Sequence, residues 1–401
     1  MKAFGNRTEH SVGEILRGWG AEYSRTHAMT LQQRRVMQTL AECRTAALGG
    51  HLEKCDQCGH ERPAYDSCGD RHCPTCQGKL ARAWLAKRLE DVLNTPYFHC
   101  IFTIPEEFNP LVAYNQRVIY EILFRATVRA LRSLARQRLG AELGIVAVLH
   151  TWGQTLWPHP HIHCIVTGGG LSFDRLRWVS TGPEFLFDVF ELSRAFRKRF
   201  CGLLRQAKLQ FAGEAAGLAD AAAFKALLAG QEKRDWVVHS KKPVRGPRQV
   251  LEYISRYTHR VAISNRRILD VAADGAVRFE YKDWRDQDRR DRPRSKVLPL
   301  SAAEFIGRFL RHVLPCGFRK VRSYGLLAGR DRARKLAVCR ALLGEVEAPA
   351  TVEAVLPPPG EDPRCCPCCG HGPMRPMVHL HPVRGPPVVL PYQNRSETCA
   401  A

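Results

Sequence analysis

The stretch WPHPHIHCIVTGGG, residues 157–170, predicts a β-strand that carries histidines on one of its faces. Side chains two positions apart on a strand point to the same side of a sheet, so His161 and His163 are expected to project together. Ile162 and Cys164 would then face the opposite side, into a core. Two imidazoles presented in this way can hold one metal ion, although an isolated pair of strand histidines is more often half-buried and structural.

The preceding strand-like stretch, GIVAVLHTWGQ at 144–154, supplies candidates for a third metal ligand. If the two strands fold back through TLWPHP, residues whose numbers sum to about 315 lie opposite each other, which places Gln154 across from His161. An amide oxygen beside two imidazole nitrogens leaves positions for water and phosphate, and this mixed set suits Mg²⁺ or Mn²⁺ better than a closed zinc site. His150 and His159 are the competing third ligands.

A second candidate group lies in LEYISRYTHR, residues 251–260, which has helical spacing. Tyr253 and Tyr257 stand four positions apart, so both phenols would share one face of the helix. An aromatic pair at this spacing is often part of a core, but Arg256 and Arg260 interleave with the tyrosines. Arginines rarely line a core and often line phosphate-binding surfaces, so the segment predicts a site for a phosphate-containing substrate.

Paired cysteines near the amino terminus predict a structural zinc site, because each CxxC turn can aim two thiolates at one ion. The four predicted ligands are Cys55, Cys58, Cys73 and Cys76. A second set interleaves with the first and could bind a second ion: Cys43, His51, Cys68 and His72. The two histidines of this second set could equally be surface residues. Further cysteines crowd the carboxyl-terminal CCPCCGHGPM, for which the sequence leaves metal binding open.

Composition indicates a folded protein that binds a polyanion. The chain has 401 residues, 45% of them hydrophobic, and its 61 basic against 39 acidic residues give a net charge of +22. Such an excess favours nucleic acid as the partner, with a merely basic enzyme as the alternative. We find no signal peptide and no apolar run long enough to span a membrane, which predicts a cytoplasmic, nucleoid-associated protein whose cysteines stay reduced and bind metal.

Changes in composition divide the chain into three consecutive parts. We expect a helical leader and zinc module at 1–90, a catalytic domain at 91–345, and a Pro-rich linker with a largely flexible Cys-rich tail at 346–401. Strands are predicted at 97–105, 144–154, 161–169 and 235–240, with a hairpin at 263–284. Helices are predicted at 118–139, 187–211, 248–261 and 301–314.

The order of these motifs resembles the rolling-circle insertion-sequence transposases of the HUH endonuclease superfamily. A Cys/His-rich module precedes HPHIH and then YISRYTHRVAISNRR, and CGDRHCPTCQ, PYFHCIFTIP and LPCGFRKVRSYGLLAG support the likeness, which covers roughly residues 40–345. The resemblance implies an α+β fold, an antiparallel sheet with flanking helices, joined to the zinc module. It also implies that His161 and His163 bind the catalytic Mg²⁺ or Mn²⁺ and that Tyr253 and Tyr257 are nucleophiles.

By this resemblance the enzyme nicks and rejoins single-stranded DNA at the ends of a mobile element through 5′-phosphotyrosine intermediates. We expect Arg256 and Arg260 to stabilise phenolate or transition-state charge. Basic segments are expected to contact DNA phosphates: RAFRKRF at 194–200, RDQDRRDRPRSK at 285–296 and RKVRSYG at 319–325. The alternatives are a replication initiator or relaxase-like nickase with the same chemistry, a metal-dependent hydrolase, and a non-catalytic zinc-dependent DNA-binding regulator.

Overall fold

A computed structural model describes residues 10–77, 91–182, 186–244, 249–250, 258, 260–288, 290–344 and 365–383. Its helices are α1 (Val12–Thr26), α2 (Leu31–Glu42), α3 (Asn109–Arg138), α4 (Val189–Arg205), α5 (Ala221–Glu232), α6 (Ala302–Leu310) and α7 (Arg332–Leu342). Its strands are β1 (Gly50–Cys55), β2 (Glu61–Tyr65), β3 (Tyr97–Thr103), β4 (Ala141–Trp152), β5 (Pro158–Ser172), β6 (Trp178–Ser180), β7 (Val238–Val244), β8 (Ile268–Val271), β9 (Ala276–Gln287), β10 (Pro293–Ser301), β11 (Val321–Gly325) and β12 (Met374–Leu380).

The chain forms two compact units that are not consecutive in sequence. The first unit comprises Met1–Leu80, Ile263–Val313 and Pro357–Ala401, and the second comprises Ala81–Ala262 and Leu314–Leu356. This division differs from the predicted boundaries, because the chain leaves the predicted catalytic domain after residue 262 and returns to the amino-terminal part. Each unit is therefore assembled from segments that are distant in the sequence.

Hydrogen bonds between distant segments hold the first unit together. The amide of Val12, at the start of α1, donates to the Asn265 side chain over 3.2 Å. In α2, the amide nitrogen of the Gln33 side chain donates to the carbonyl of Leu310 over 3.0 Å, at the end of α6. The predicted helix at 301–314 is confirmed as α6, capped by Ser301, which accepts from the amide of Glu304. The predicted hairpin is confirmed as β8 and β9, and β10 extends it to a three-stranded sheet.

The carboxyl-terminal segment forms part of a second small sheet in the first unit. Strand β12 pairs antiparallel with β1, which also pairs with β2, in the order β12-β1-β2. The register runs from Gly50 opposite Leu380 to Cys55 opposite Met374. The expectation of a largely flexible tail is therefore wrong for residues 365–383, because backbone hydrogen bonds to β1 fix this part of the tail.

The second unit is built on an antiparallel sheet with the strand order β11-β4-β5-β3-β7, and β6 pairs with the far end of β5. Helices α3 and α4 cover one face, where Phe98, Phe102, Ile162 and Cys164 are fully or almost fully buried. The opposite face carries a smaller core, to which Val148 of β4 contributes. The predicted antiparallel sheet with flanking helices is thus confirmed, with β5 at its centre.

Helices of the described ranges lack the combination of length and apolar composition that a membrane span requires. The longest, α3, extends over 30 residues but carries charged side chains throughout its length. The predicted helices at 118–139 and 187–211 correspond to α3 and α4. Most of the predicted helix at 248–261 lies outside the described residues.

Candidate metal centres and active site

Four cysteines of the first unit place their sulfur atoms within 4.8 Å of one another, and we call them the amino-terminal cysteine cluster: Cys43, Cys68, Cys73 and Cys76. The Sγ atom of Cys43 lies 3.6 Å from that of Cys73 and 3.6 Å from that of Cys76. A tetrahedral zinc site with the usual metal–sulfur distance has sulfur–sulfur edges of about 3.8 Å. Hydrogen bonds from Cys68 and Cys73 stabilise the Cys43 thiolate and lower its pKa to about 2. The four sulfur atoms therefore match a zinc site in geometry.

A second group of four cysteines is separate from the first, and we call it the bridging cysteine cluster: Cys55, Cys58, Cys366 and Cys369. Cys55 is the last residue of β1 and Cys58 follows it, while Cys366 and Cys369 precede β12. The sulfur atoms of Cys55 and Cys369 are 3.8 Å apart, and those of Cys58 and Cys366 are 3.5 Å apart. These distances again match the edges of a tetrahedral four-thiolate site.

The predicted zinc ligand sets differ from this arrangement. The pairs Cys55/Cys58 and Cys73/Cys76 were expected to share one ion, but they lie in different clusters. The chain after β2 turns back to the end of α2, so Cys68, Cys73 and Cys76 lie beside Cys43. The turn after β1 instead lies beside the segment that precedes β12. Cys43 and Cys68, predicted for the second set, both belong to the amino-terminal cysteine cluster. The histidines predicted with them lie outside it: His51 contacts Glu53 at 3.1 Å, and His72 contacts Asp70 at 2.8 Å.

Three histidines converge on the second unit's sheet, and we call them the histidine cluster: His150, His161 and His163. One candidate ligand nitrogen from each lies within 4.8 Å of the others. His150 lies on β4, directly opposite His161 on β5. As predicted, His161 and His163 share a face while Ile162 and Cys164 enter the core behind them. Alternation along two neighbouring strands is therefore sufficient to bring the three imidazoles together.

The register of β4 and β5 differs from the predicted one by four residues, so the expected placement of Gln154 opposite His161 is wrong. Strand β4 ends at Trp152, and residues 153–157 form a tight loop before β5. Within this loop the amide of Gly153 donates to the carbonyl of Trp157 over 2.9 Å, and Leu156 adopts a φ of 63°. Gln154 lies in the loop, and His150, which the sequence offered as a competing ligand, occupies the position opposite His161.

Hydrogen bonds orient the imidazoles of the histidine cluster. His161 donates through Nδ1 to the carbonyl oxygen of His159 over 2.6 Å, so its Nε2 atom faces His163 at 3.0 Å. The Nδ1 atom of His163 contacts Nε2 of His99 on β3 at 2.7 Å, and the two rings are stacked. Metal-binding histidines are commonly held in this way through the ring nitrogen that does not bind the ion. His99 was not predicted, although its alternation with Tyr97 on a buried strand placed it on the same face.

Burial favours the neutral form of His99, His161 and His163, and the neutral form of an imidazole is the one that binds a metal ion. Desolvation lowers the pKa of His161 to about 3 and that of His99 to about 3. The pKa of His163 is lowered further below its usual value, first by burial and then by the neighbouring charges of His150 and His161. The positive charge of Arg260 also lowers the pKa of His161. The guanidinium of Arg260 is therefore close enough to act electrostatically on the histidine cluster.

The predicted nucleophiles Tyr253 and Tyr257, and the predicted phosphate ligand Arg256, lie outside the described residues. Residues on either side of them are described. Val250 is buried in the core on the same face of the sheet as the histidine cluster. Arg260 is exposed, and its carbonyl accepts a hydrogen bond from Lys320 over 3.3 Å.

The three predicted DNA-contacting segments take different structural roles. In the segment at 319–325, Arg322 packs over the Phe124 ring at 4.1 Å and donates to both carboxylate oxygens of Glu121 at 2.6 and 2.7 Å. This arginine therefore stabilises the fold of the second unit. The segment at 285–296 belongs to the β9–β10 hairpin, where Lys296 pairs with two aspartates at 2.8 and 2.9 Å. In the segment at 194–200, charged residues line the outer face of α4.

Comparison with known proteins matches two families to different parts of the chain. A family described as "Putative transposase" matches residues 144–335, which include the histidine cluster, and a family described as "Transposase zinc-binding domain" matches residues 15–104. The chain is 47% identical over 397 residues to "Putative transposase y4qJ" of Sinorhizobium fredii (strain NBRC 101917 / NGR234), covering 95% of this chain and 98% of that protein.

A second relative is the "Transposase for insertion sequence element IS801" of Pseudomonas savastanoi pv. phaseolicola, 28% identical over 297 residues, or 72% of this chain and 68% of the relative. No solved protein structure matches the chain significantly. The near full-length likeness to one relative named as a putative transposase, together with matches to a transposase zinc-binding domain and a putative transposase family, gives the family assignment. The chain belongs to the IS91-like family of rolling-circle transposases with an amino-terminal zinc-binding domain.

Proposed function

We propose that this transposase nicks and rejoins single-stranded DNA at the ends of its mobile element, using the histidine cluster and the two tyrosines Tyr253 and Tyr257. The observation that carries the proposal is the convergence of His150, His161 and His163 on one face of the central sheet. Both named relatives are transposases, which favours this reading over a replication initiator or a DNA-binding regulator. On this proposal the second unit has the HUH nuclease fold.

The histidine cluster fits a divalent cation, which we propose to be Mn²⁺ or Mg²⁺. Three imidazoles supply three ligands and leave coordination positions for phosphate oxygens and water. When bound, the cation would polarise the scissile phosphodiester and offset negative charge in the transition state. A ligand set of imidazoles favours Mn²⁺ over Mg²⁺, since Mg²⁺ prefers oxygen ligands. In this assignment His150 takes the third ligand position that the sequence had given to Gln154.

The two tyrosines are the nucleophiles of the proposed reaction. The phenolic oxygen of Tyr253 or Tyr257 attacks phosphorus, a tyrosyl O–P bond forms, and the P–O3′ bond breaks. The departing 3′-oxygen takes up a proton and becomes a 3′-hydroxyl, while the phenol proton passes to solvent. The bond energy is retained in the 5′-phosphotyrosine, so a second 3′-hydroxyl can attack it and reseal the strand. A second tyrosine allows a second cleavage while the first is still occupied.

Arginines near the histidine cluster would assist this step. A phenol has a pKa near 10, so its attack needs a neighbouring positive charge. We assign that role to Arg260, whose charge acts on His161, and to Arg256, which is four residues before it in the sequence. DNA would approach over the histidine face of the sheet, where exposed Trp157 lies in the loop between β4 and β5 and could stack on a base.

The test is incubation of the purified protein with labelled oligonucleotides of the element's terminal sequences, each strand alone and annealed, with Mn²⁺, Mg²⁺ or chelator. We expect a covalent protein–DNA adduct with single strands only, dependent on the cation. The adduct should disappear in the Tyr253→Phe/Tyr257→Phe double variant and persist in Tyr114→Phe, a matched control at an exposed tyrosine of α3. Cleavage that survives in the double variant would identify water as the nucleophile and contradict the proposal.

A further inference from the structure

We propose that the bridging cysteine cluster binds a second zinc ion, which fastens the carboxyl-terminal segment of the chain to strand β1. Cys55 and Cys58 supply two of the thiolate ligands, and Cys366 and Cys369 supply the other two. This proposal concerns the first unit and is independent of the nuclease chemistry proposed for the second. The matched zinc-binding domain ends at residue 104, so half of the ligand set lies far outside it.

The two halves of the cluster repeat one six-residue sequence. CDQCGH at 55–60 and CPCCGH at 366–371 share the pattern CxxCGH. Each half folds into the same turn. Gly59 has a φ of 71° and donates to the carbonyl of Cys55 over 3.1 Å, and Gly370 has a φ of 76° and donates to that of Cys366 over 2.9 Å. Only glycine adopts this φ without strain, so the pattern specifies the turn.

Backbone amides point at the sulfur atoms in both turns. In the first, the amide of Gln57 donates to Cys55 Sγ over 3.4 Å. In the second, the amide of Cys368 donates to Cys366 Sγ over 3.3 Å. Hydrogen bonds of this kind stabilise a thiolate, and in both halves the donor is the amide two residues after the first cysteine. Two equivalent turns therefore face each other with four sulfur atoms between them.

The run CCPCC at 365–369 contains two overlapping CxxC pairs, and the structure selects one of them. Cys366 and Cys369 belong to the bridging cysteine cluster, whereas Cys365 and Cys368 are exposed outside it. The selection has a local cause. A glycine must follow the second cysteine of the turn, and Gly370 follows Cys369. The other pair would place a cysteine at the glycine position.

Two residues that pack against the bridging cysteine cluster, Gly372 and Met374, show how closely its two turns approach each other. A Cβ atom at Gly372 would lie 2.3 Å from Cys55 Sγ, so only glycine allows the two turns to approach this closely. Met374 is buried against Cys55 and Cys366, and it is also the residue that pairs with Cys55 in the β1–β12 ladder. Cys55 therefore belongs both to the β1–β12 ladder and to the bridging cysteine cluster. A zinc ion there closes a loop across the 308 residues that separate Cys58 from Cys366.

Zinc content of the purified full-length chain tests the proposal. We expect two zinc ions per chain in the wild type, one in Cys366→Ser/Cys369→Ser, and two in the matched control Cys365→Ser/Cys368→Ser, which removes two cysteines from the same five-residue run. One zinc ion in the wild type would overturn the proposal. Loss of zinc from the control, with two ions retained by the first variant, would overturn it as well.

Alkylation of the wild-type chain decides the question even where the serine variants fail to fold. N-ethylmaleimide is added to the zinc-loaded protein, and each modified cysteine of the tryptic peptide that begins at Cys365 is located by mass spectrometry. We expect rapid modification of Cys365 and Cys368, with at least tenfold slower modification of Cys366 and Cys369 until a chelator is added, because zinc-bound thiolates react slowly. Equal rates for all four cysteines in the loaded protein would contradict a zinc ion at this position.

Discussion

The cysteine clusters of the first unit and the histidine cluster of the second unit offer a metal ion different numbers and types of ligands. Four thiolates surround a zinc ion completely, so no position remains for a substrate and the ion serves the fold. Three imidazoles leave positions open for a substrate, and burial favours the neutral, metal-binding form of His161 and His163. The number and type of ligands therefore separate a structural metal from one that can take part in chemistry.

The two units also differ in what stabilises them without metal. The second unit has an extensive core under α3 and α4, with Phe102, Phe108 and Phe124 fully buried. In the first unit, the part near the cysteines consists of short strands and turns, and the apolar cluster around Cys55 contains few residues. Small elements of this kind depend on metal for their stability. Removal of metal should therefore unfold part of the first unit and leave the second unit folded.

The largest expected effect follows from Cys73→Ser, which removes one thiolate of the amino-terminal cysteine cluster. Zinc in a four-ligand site contributes on the order of 10 kcal/mol to the folded state, so most of that contribution should be lost. We expect the bound zinc to fall by one ion per chain and the first unit to become sensitive to limited proteolysis. The exposed Cys316→Ser in the second unit is the control. A Cys73→Ser protein with full zinc content would contradict the ligand assignment.

His150→Ala should abolish most activity without unfolding the protein. The imidazole is one of three proposed ligands, so its loss should reduce Mn²⁺ affinity and adduct formation by about 100-fold or more. Gln154→Ala, four residues along in the loop after β4, is the matched comparison and should stay within about threefold of wild type. Calorimetric titration with Mn²⁺ and the adduct assay measure the two effects. A larger loss in Gln154→Ala than in His150→Ala would contradict the assignment of His150 as the third ligand.

Substitution of His99 should have an intermediate effect, because it acts through His163. His99→Phe preserves the ring's volume and burial but removes the contact to His163 Nδ1, and such outer contacts are worth about 10- to 100-fold in metal affinity. His99→Gln, which keeps a polar group in reach, should recover part of the loss. A purely structural role for His99 would instead lower the melting temperature of both variants and leave the Mn²⁺ affinity of the folded protein unchanged.

Much of the second unit could be predicted from the sequence because alternation and helical periodicity are local properties. Strands β3, β5 and β7, helices α3 and α4, and the shared face of His161 and His163 follow from such patterns. The β4–β5 register was missed by four residues, since it depends on where the turn begins. The five-residue loop with a positive φ at Leu156 gave no local signal that the preceding strand ends at Trp152.

The cysteine pairing could not be predicted from spacing alone, because thiolates 308 residues apart share one cluster. The nearest CxxC pair in the sequence seemed the natural partner of Cys55 and Cys58. A usable signal did exist in the repeated CxxCGH pattern, which marks both halves of the bridging cysteine cluster. The discontinuous first unit was missed for the same reason, as contacts between distant segments leave no trace in local composition.

The smallest expected effect concerns the ion pair between Arg322 and Glu121, which stabilises the second unit without a metal ion. Arg322 holds the pKa of the Glu121 carboxyl below its ordinary value, because the charged form of Glu121 accepts two hydrogen bonds from the guanidinium. A carboxyl whose pKa is lower in the folded than in the unfolded state stabilises the fold above its unfolded pKa, and this stability is lost as the pH falls through the folded value.

Glu121→Gln should therefore cost about 0.5–1 kcal/mol of unfolding free energy at pH 7, a modest value because the carboxylate is partly exposed. The difference from wild type should shrink below pH 4.5, the ordinary value for glutamate, and vanish in stronger acid. Urea denaturation between pH 3 and 7, followed with a probe in the second unit, measures it. Glu214→Gln, at an exposed glutamate of the same unit, serves as the control. Addition of chelator should leave the difference between Glu121→Gln and wild type unchanged, since neither Glu121 nor Arg322 is a proposed metal ligand. A chelator-dependent difference would contradict the expectation that the second unit folds without metal.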